Sequence, residues 1–152
     1  MARAISVDYT GRTVDLLAVD PTIGRPGISQ ALPLRFRDPP DLVAGIQQAA
    51  QAFLSLLLTD SGSAFRDTLG TPFMSLIRTR NPRTESEVRN YYQISAPSAI
   101  RQANEGADSD DEKLLEARLL SALVDIGYIS LRIQLVTVAG ERADFLAPVP
   151  GV

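Results

Sequence analysis

Apolar and polar positions alternate with two different periods along this chain, and the switches between them mark its elements. Near the start, Ile5, Val7 and Tyr9 alternate with Ser6 and Asp8, the period of a half-buried strand. Thr10-Gly11-Arg12 supplies a turn, and Val14, Leu16 and Ala18 resume the alternation, so residues 4–19 are expected to form a β-hairpin. From Leu42 the period lengthens. Leu42, Ile46, Ala49, Phe53 and Leu56 recur at spacings of three and four, and Val43, Ala50, Leu54 and Leu57 widen the stripe. Gln47, Gln48 and Gln51 fall mostly off it, which predicts an amphipathic helix of about four turns, started by Asp41. Each large side chain buried on that face contributes roughly 1.5–3 kcal/mol, so the helix anchors the expected core. Asp60-Ser61-Gly62 ends it, with Gly62 free to take a left-handed conformation.

Thr71-Pro72 then restarts a helix in the favoured order, running to about Arg78 before Asn81-Pro82 breaks it. Thr84 and Glu87 have capping-box spacing, opening a helix that carries Val88, Tyr91, Tyr92 and Ile94. Pro97 is expected to kink or stop it, with Ser98 to Ala103 adding a further turn or two. Ser109 and Glu112 repeat the capping-box spacing. The run that follows places Leu115, Leu119, Ala122 and Ile126 on one stripe, with Leu114, Leu120 and Leu123 alongside, and predicts one more helix closed by Gly127. Alternation returns with Ile129, Leu131, Ile133 and Leu135 against Ser130, Arg132 and Gln134. Ala139-Gly140-Glu141 turns the chain, and Arg142 to Pro148 can return as a second strand.

These elements give an α+β fold: amphipathic helices packed on a small antiparallel sheet, with an N-terminal hairpin and a Pro-rich extended arm. Residues 1–40 hold the hairpin and arm, and residues 41–152 the helical and C-terminal β core of a single overall domain. The arm contains Pro21, Gly24, Pro26, Gly27, Pro33, Pro39 and Pro40, which leave little room for helix. Its apolar residues (Ile23, Ile28, Leu32, Leu34, Phe36) suit a segment that reaches over a neighbour.

Composition narrows the chemistry. The 152 residues are 45% apolar, enough for one core, and the net charge of −3 gives no electrostatic footprint for nucleic acid or an anionic membrane. Cysteine is absent, which removes disulfides and thiol chemistry and leaves the compartment unmarked. Histidine is also absent, and with it imidazole metal ligation, Ser-His-Asp catalysis and the usual base near neutral pH. Trp is missing and aromatics make up only 6%, which weakens base- or sugar-stacking readings. No apolar run approaches a membrane span, and no apolar segment of a signal peptide follows Met1-Ala2-Arg3.

The acidic cluster Glu105, Asp108, Asp110, Asp111 and Glu112 invites a Ca²⁺ reading. An EF-hand loop counted from Asp108 puts Lys113 and Leu119 where Gly and Glu are needed, so the motif fails. A solvated loop with acids at a helix N-terminus accounts for the cluster better. Arg78, Arg80, Arg83 and Arg89 lie near Tyr91 and Tyr92, but so few charges give weak, salt-sensitive attraction, and a solvated connector explains them better. Gly62 and Gly70 flank a loop without the Gly-Lys-Ser/Thr ending of a phosphate-binding loop. Spacing alone leaves open a pair of distant carboxylates as in glycoside hydrolysis. The expectation is no catalytic residue, no metal and no cofactor.

One stretch carries a family resemblance. The run Ile46 to Gly70 holds Leu57-Leu58-Thr59-Asp60-Ser61-Gly62-Ser63 and then Leu69-Gly70-Thr71. It resembles the small, lysozyme-like baseplate wedge proteins of contractile phage tails, in which a helix ends in a Leu-Thr-x-x-Gly turn followed by a second Gly and another helix. The matching positions are Leu58, Thr59, Gly62 and Gly70, with Arg66 a counterpart of the family's basic loop residue. The family's Glu-Pro-Arg before the sheet is replaced by Glu116-Ala117-Arg118, which falls inside an expected helix, so its role is not transferred. The hairpin and arm are additions to the family core.

The resemblance implies a non-enzymatic wedge subunit in the virion tail baseplate, assembled in the host cytoplasm. Its partners would be other wedge proteins, the tail sheath and tube-proximal proteins. It would serve as a platform for sheath polymerisation, with a neighbour's arm pairing against an exposed sheet edge. The candidate edges are the Ile129–Val138 strand, with Ile129, Leu131, Ile133 and Leu135, and the Asp144–Ala147 return, with Asp144 and Leu146. Either strand taken singly is equally explained as an internal hairpin packed on the domain's own helices. A neck, connector or tail-completion protein is an alternative role, and a small lysozyme-like hydrolase is the alternative from another class.

Overall fold

The computed structural model describes residues 15–16, 42–43, 45–62 and 68–150. Two short strands, β1 (Asp15–Leu16) and β2 (Leu42–Val43), pair antiparallel. Helices α1 (Ile46–Leu57), α2 (Phe73–Arg80) and α3 (Glu85–Glu105) precede a meander of β3 (Leu114–Asp125), β4 (Tyr128–Thr137) and β5 (Arg142–Pro150). The fold is α+β, as the hydrophobic pattern predicts. The rest of the expected hairpin and the Pro-rich arm lie outside the described residues, as does Arg66. Asp15–Leu16 is a strand as expected, but its described partner is Leu42–Val43.

The core is one apolar cluster shared by the three helices and the sheet. Helix α1 buries Ala49, Ala50, Phe53, Leu54 and Leu57, the predicted face. It begins later than the pattern suggests, with Gly45 at its N-cap, so Leu42 and Val43 belong to a strand and not to the stripe. Gln51, placed off the stripe by its polarity, is buried. Helix α3 starts at the predicted capping box: Thr84 accepts from the Glu87 amide, and the Glu87 carboxylate accepts from the Thr84 amide. It continues past Pro97 to Glu105, so the proline does not stop it. Pro97 and Gln93 are both exposed, so the carbonyl that loses its helical partner opposite the proline ring faces water. On the opposite side Val88, Tyr92, Ser95, Ala96, Ala99 and Ala103 are buried, and the small residues among them allow close approach.

Tyr92 is where the elements meet. Its ring packs edge-on against Phe53 of α1 and Phe73 of α2, with centroids 6.4 and 6.5 Å away. Its hydroxyl donates to the Ala117 carbonyl of β3 at 2.8 Å. Burial pushes the phenol well above its ordinary pKa.

The largest departure from the sequence expectation is the stretch Leu114–Asp125. It is a strand, not the predicted helix, and it pairs with β4 along its whole length. Two register shifts, at Leu115 and at Leu120, each put an extra residue opposite the partner strand. Ser109 and Glu112 consequently cap no helix. Their loop folds back instead, with the Ser109 carbonyl accepting from the Glu112 and Lys113 amides and the Asp110 carbonyl accepting from Ala139. Glu112, expected in a solvated loop, is buried.

Candidate assembly interface

Two features of the fold hold the residues singled out from the sequence: the segment between α1 and α2, and the edges of the sheet. The turn is built around Thr71. Its amide donates to the Thr59 carbonyl at 2.8 Å, and its carbonyl accepts from the Ser61 amide at 3.2 Å. Its buried hydroxyl donates to the Leu57 carbonyl at 2.9 Å. Gly70 beside it has φ 95°, and a Cβ there would lie 2.4 Å from the Thr59 carbonyl oxygen, so only glycine fits. Gln102 of α3 then grips Gly70 from both sides, accepting from its amide and donating to its carbonyl, each at 2.9 Å. Gly62 is left-handed as expected, with φ 80°. Arg78 pairs with Asp60, tying α2 to the same turn. The resemblance positions Leu58, Thr59, Gly62 and Gly70 therefore form one folded turn fastened to α3.

The sheet edges are unlike each other. In an antiparallel pair, residues whose amide and carbonyl face the partner alternate with residues whose groups face away. The β4–β5 turn sets the phase: the Thr137 amide donates to the Glu141 carbonyl at 2.9 Å. Counting by twos along the register, Ala143, Phe145, Ala147 and Val149 face β4, while Arg142, Asp144, Leu146, Pro148 and Pro150 direct their backbone groups outward. Both prolines thus occupy positions where the missing N–H costs the sheet no hydrogen bond, the usual place for proline on an edge strand. Among the described residues no strand pairs with β5 on that side.

The far edge, on β3, is closed by side chains of α3. Asn104 accepts from the Leu114 amide at 2.7 Å and donates to its carbonyl at 2.9 Å. Tyr92 takes the Ala117 carbonyl, and the Arg89 guanidinium donates to the carbonyls of Leu119 and Leu120 at 2.7 and 3.2 Å. The Leu120 bulge brings those two carbonyls together, and an ion pair with Glu85 at 2.6 Å holds the guanidinium against them.

This arrangement sorts the candidate contact residues. Ile129, Leu131, Ile133 and Leu135 belong to β4, which is hydrogen-bonded on both sides, and all four are buried in the core. β4 is therefore not an edge, and these residues are corrected from contact candidates to core residues. Asp144 and Leu146 do lie on an edge strand. Asp144 accepts from Gln134 at 3.0 Å on the outer face of the sheet, with Arg132 at 3.8 Å. Sequence reasoning counted Arg89 among the arginines of a solvated connector, where the structure sets it on β3, and it missed Asn104, which nothing in its local sequence marks. The i, i+2 spacing of Pro148 and Pro150 was a readable signal for the open side of β5.

Other candidate chemistry stays dispersed. No group of three or more Asp, Glu, Cys or His residues among those described is placed to hold a metal ion. Of the basic cluster, Arg78 turns to Asp60 and Arg89 to Glu85 and β3, while Tyr92 is buried away from solvent. No described helix is long and apolar enough to cross a membrane. Comparison with known protein families, with curated proteins and with solved structures finds no match for this chain.

Proposed function

We propose that this chain is a structural protein of a contractile phage tail baseplate, a wedge subunit whose open β5 edge receives a strand from a neighbour as the sheath begins to form. The observation that carries the reading is the asymmetry of the sheet, closed along β3 by α3 and, among the described residues, unpaired along the outer side of β5. An edge with free amides and carbonyls is a template for strand addition, where main-chain bonds supply affinity and flanking side chains supply register. The segment with both donors and acceptors is Arg142–Leu146. Beyond it the prolines offer acceptors alone, which limits how far an incoming strand can pair. The partners on this reading are other wedge proteins, the tail sheath and tube-proximal proteins, within the virion.

The test is a substitution that removes one edge donor and leaves every β4–β5 hydrogen bond its groups. Leu146→Pro deletes an amide that faces away from β4, at a position spaced like Pro148 and Pro150. We expect this variant to fold with an unchanged far-UV circular dichroism spectrum. Co-expressed with the sheath and baseplate proteins of its own genome, it is expected to give baseplates without sheath under the electron microscope. Sheathed tails from a folded Leu146→Pro variant would refute the role of β5.

A further inference from the structure

The closure of β3 has a purpose that the β5 reading does not require. We infer that Arg89 and Asn104 are edge guards, which keep β3 from pairing antiparallel with β3 of a second copy of this chain. The strand is 12 residues long, and a strand of that length with free outward groups is a template for edge-to-edge association. Its flank is apolar and open: Leu115 is 69% and Leu123 53% exposed. Charged residues are the common protection of an edge, but Glu116 and Arg118, which lie between these leucines, are spent on one ion pair at 2.8 Å and leave the flank without net charge. What protects the edge is α3.

The guards act at the two ends of the covered stretch. Asn104 uses both ends of its amide on Leu114, so neither the donor nor the acceptor of that residue is offered to another chain. At the other end the bulge aims two successive carbonyls at one guanidinium, whose rigid fork suits a pair of acceptors. Glu85 fixes the fork from the preceding helical turn. A second copy would have to displace all of these contacts before its own β3 could align. A self-complementary edge joined to itself gives a two-fold pair, so the species expected when the guards are lost is a dimer.

The experiment uses the full chain. Size-exclusion chromatography with light scattering, over a concentration series, compares the unsubstituted protein with Arg89→Ala/Asn104→Ala. The double variant is expected to rise with concentration towards twice the mass of the unsubstituted protein. Adding Leu123→Lys, a charge on the same flank, is expected to reverse the rise. Arg89→Lys, which carries the charge without the fork, should fall between. Arg89→Ala alone gives the same reading should the double variant fail to fold, because this side chain lies at the surface. A folded variant whose mass matches the unsubstituted protein at every concentration overturns the inference, and so does association that Leu123→Lys leaves unchanged. Because β5 takes no part, either failure leaves the proposed strand addition standing, and failure of the Leu146→Pro test leaves the guards standing.

Discussion

At the scale of single residues, Tyr92 does the most to join the structure, because one side chain touches both neighbouring helices through its ring and the sheet through its hydroxyl. Two consequences are measurable. Tyr92→Phe leaves the Ala117 carbonyl without this donor and should cost about 1 kcal/mol at neutral pH. The folded phenol titrates above its ordinary value because burial disfavours the phenolate. Its contribution is therefore complete below the unfolded pKa of about 10 and is lost as the pH climbs from there towards the folded value. Urea unfolding of the two proteins at neutral pH and above about pH 10 should show the gap between them narrowing at the higher pH. A gap that stays constant would mean that the phenol is not held neutral by the fold. The sequence placed Tyr92 among the apolar residues of its helix without separating it from the half-buried Tyr91 or the exposed Ile94. That it also reaches a strand was not legible, because the strand itself was misread.

At the scale of elements, the misreading has a physical cause. A strand buried on one face shows alternate apolar positions only while its register is unbroken. Each bulge in β3 adds a residue, so its buried positions Leu114, Ala117, Leu119 and Ala122 are spaced three, two and three apart. That rhythm resembles a helix, and Leu, Glu, Ala and Arg are all good helix formers. Packing overrode propensity. A stronger clue was the Asp125-Ile126-Gly127-Tyr128 junction. Gly127 at φ 82° closes a two-residue turn there, and such a turn joins two antiparallel strands more readily than a helix and a strand. Where local chemistry is decisive the sequence was enough, and α3 is the example. Thr84 and Glu87 satisfy each other's backbone amides, and these hydrogen bonds, led by the Arg83 amide, hold the Glu87 carboxyl below its ordinary pKa. Thr84→Ala should destabilise the domain by about 1 kcal/mol in urea unfolding at neutral pH. Glu87→Ala removes the carboxylate that accepts from the Arg83 and Thr84 amides, and its loss should shrink in acid, since a lowered carboxyl pKa contributes stability present above its unfolded value and lost as the pH falls through the folded one. An equal loss at both pH values would contradict the reciprocal cap.

At the scale of the whole molecule, the helices do more than cover one face of a meander. α1 and α2 are fastened through the Thr71 turn and Gln102, and α3 carries Gln102 on one stretch and the β3 closure on others. The result is a small sheet with one edge covered by α3 and, among the described residues, no strand paired along the other. The order of the last two strands could be read from the alternation after Tyr128, and the outward phase of β5 from its prolines. Which edge was closed could not be read, because that depends on side chains 10 to 31 residues away from the carbonyls they meet.

Strand addition at β5 is tested most directly by amide hydrogen exchange at Arg142, Asp144 and Leu146, measured first on the free protein and then in baseplates assembled with the sheath protein of the same genome. The account predicts that these three amides exchange freely in the isolated chain and become strongly protected in the assembly, while the Ala143, Phe145 and Ala147 amides, already paired with β4, change little. Exchange at Asp144 and Leu146 that is as fast in the assembled baseplate as in the free chain would contradict it.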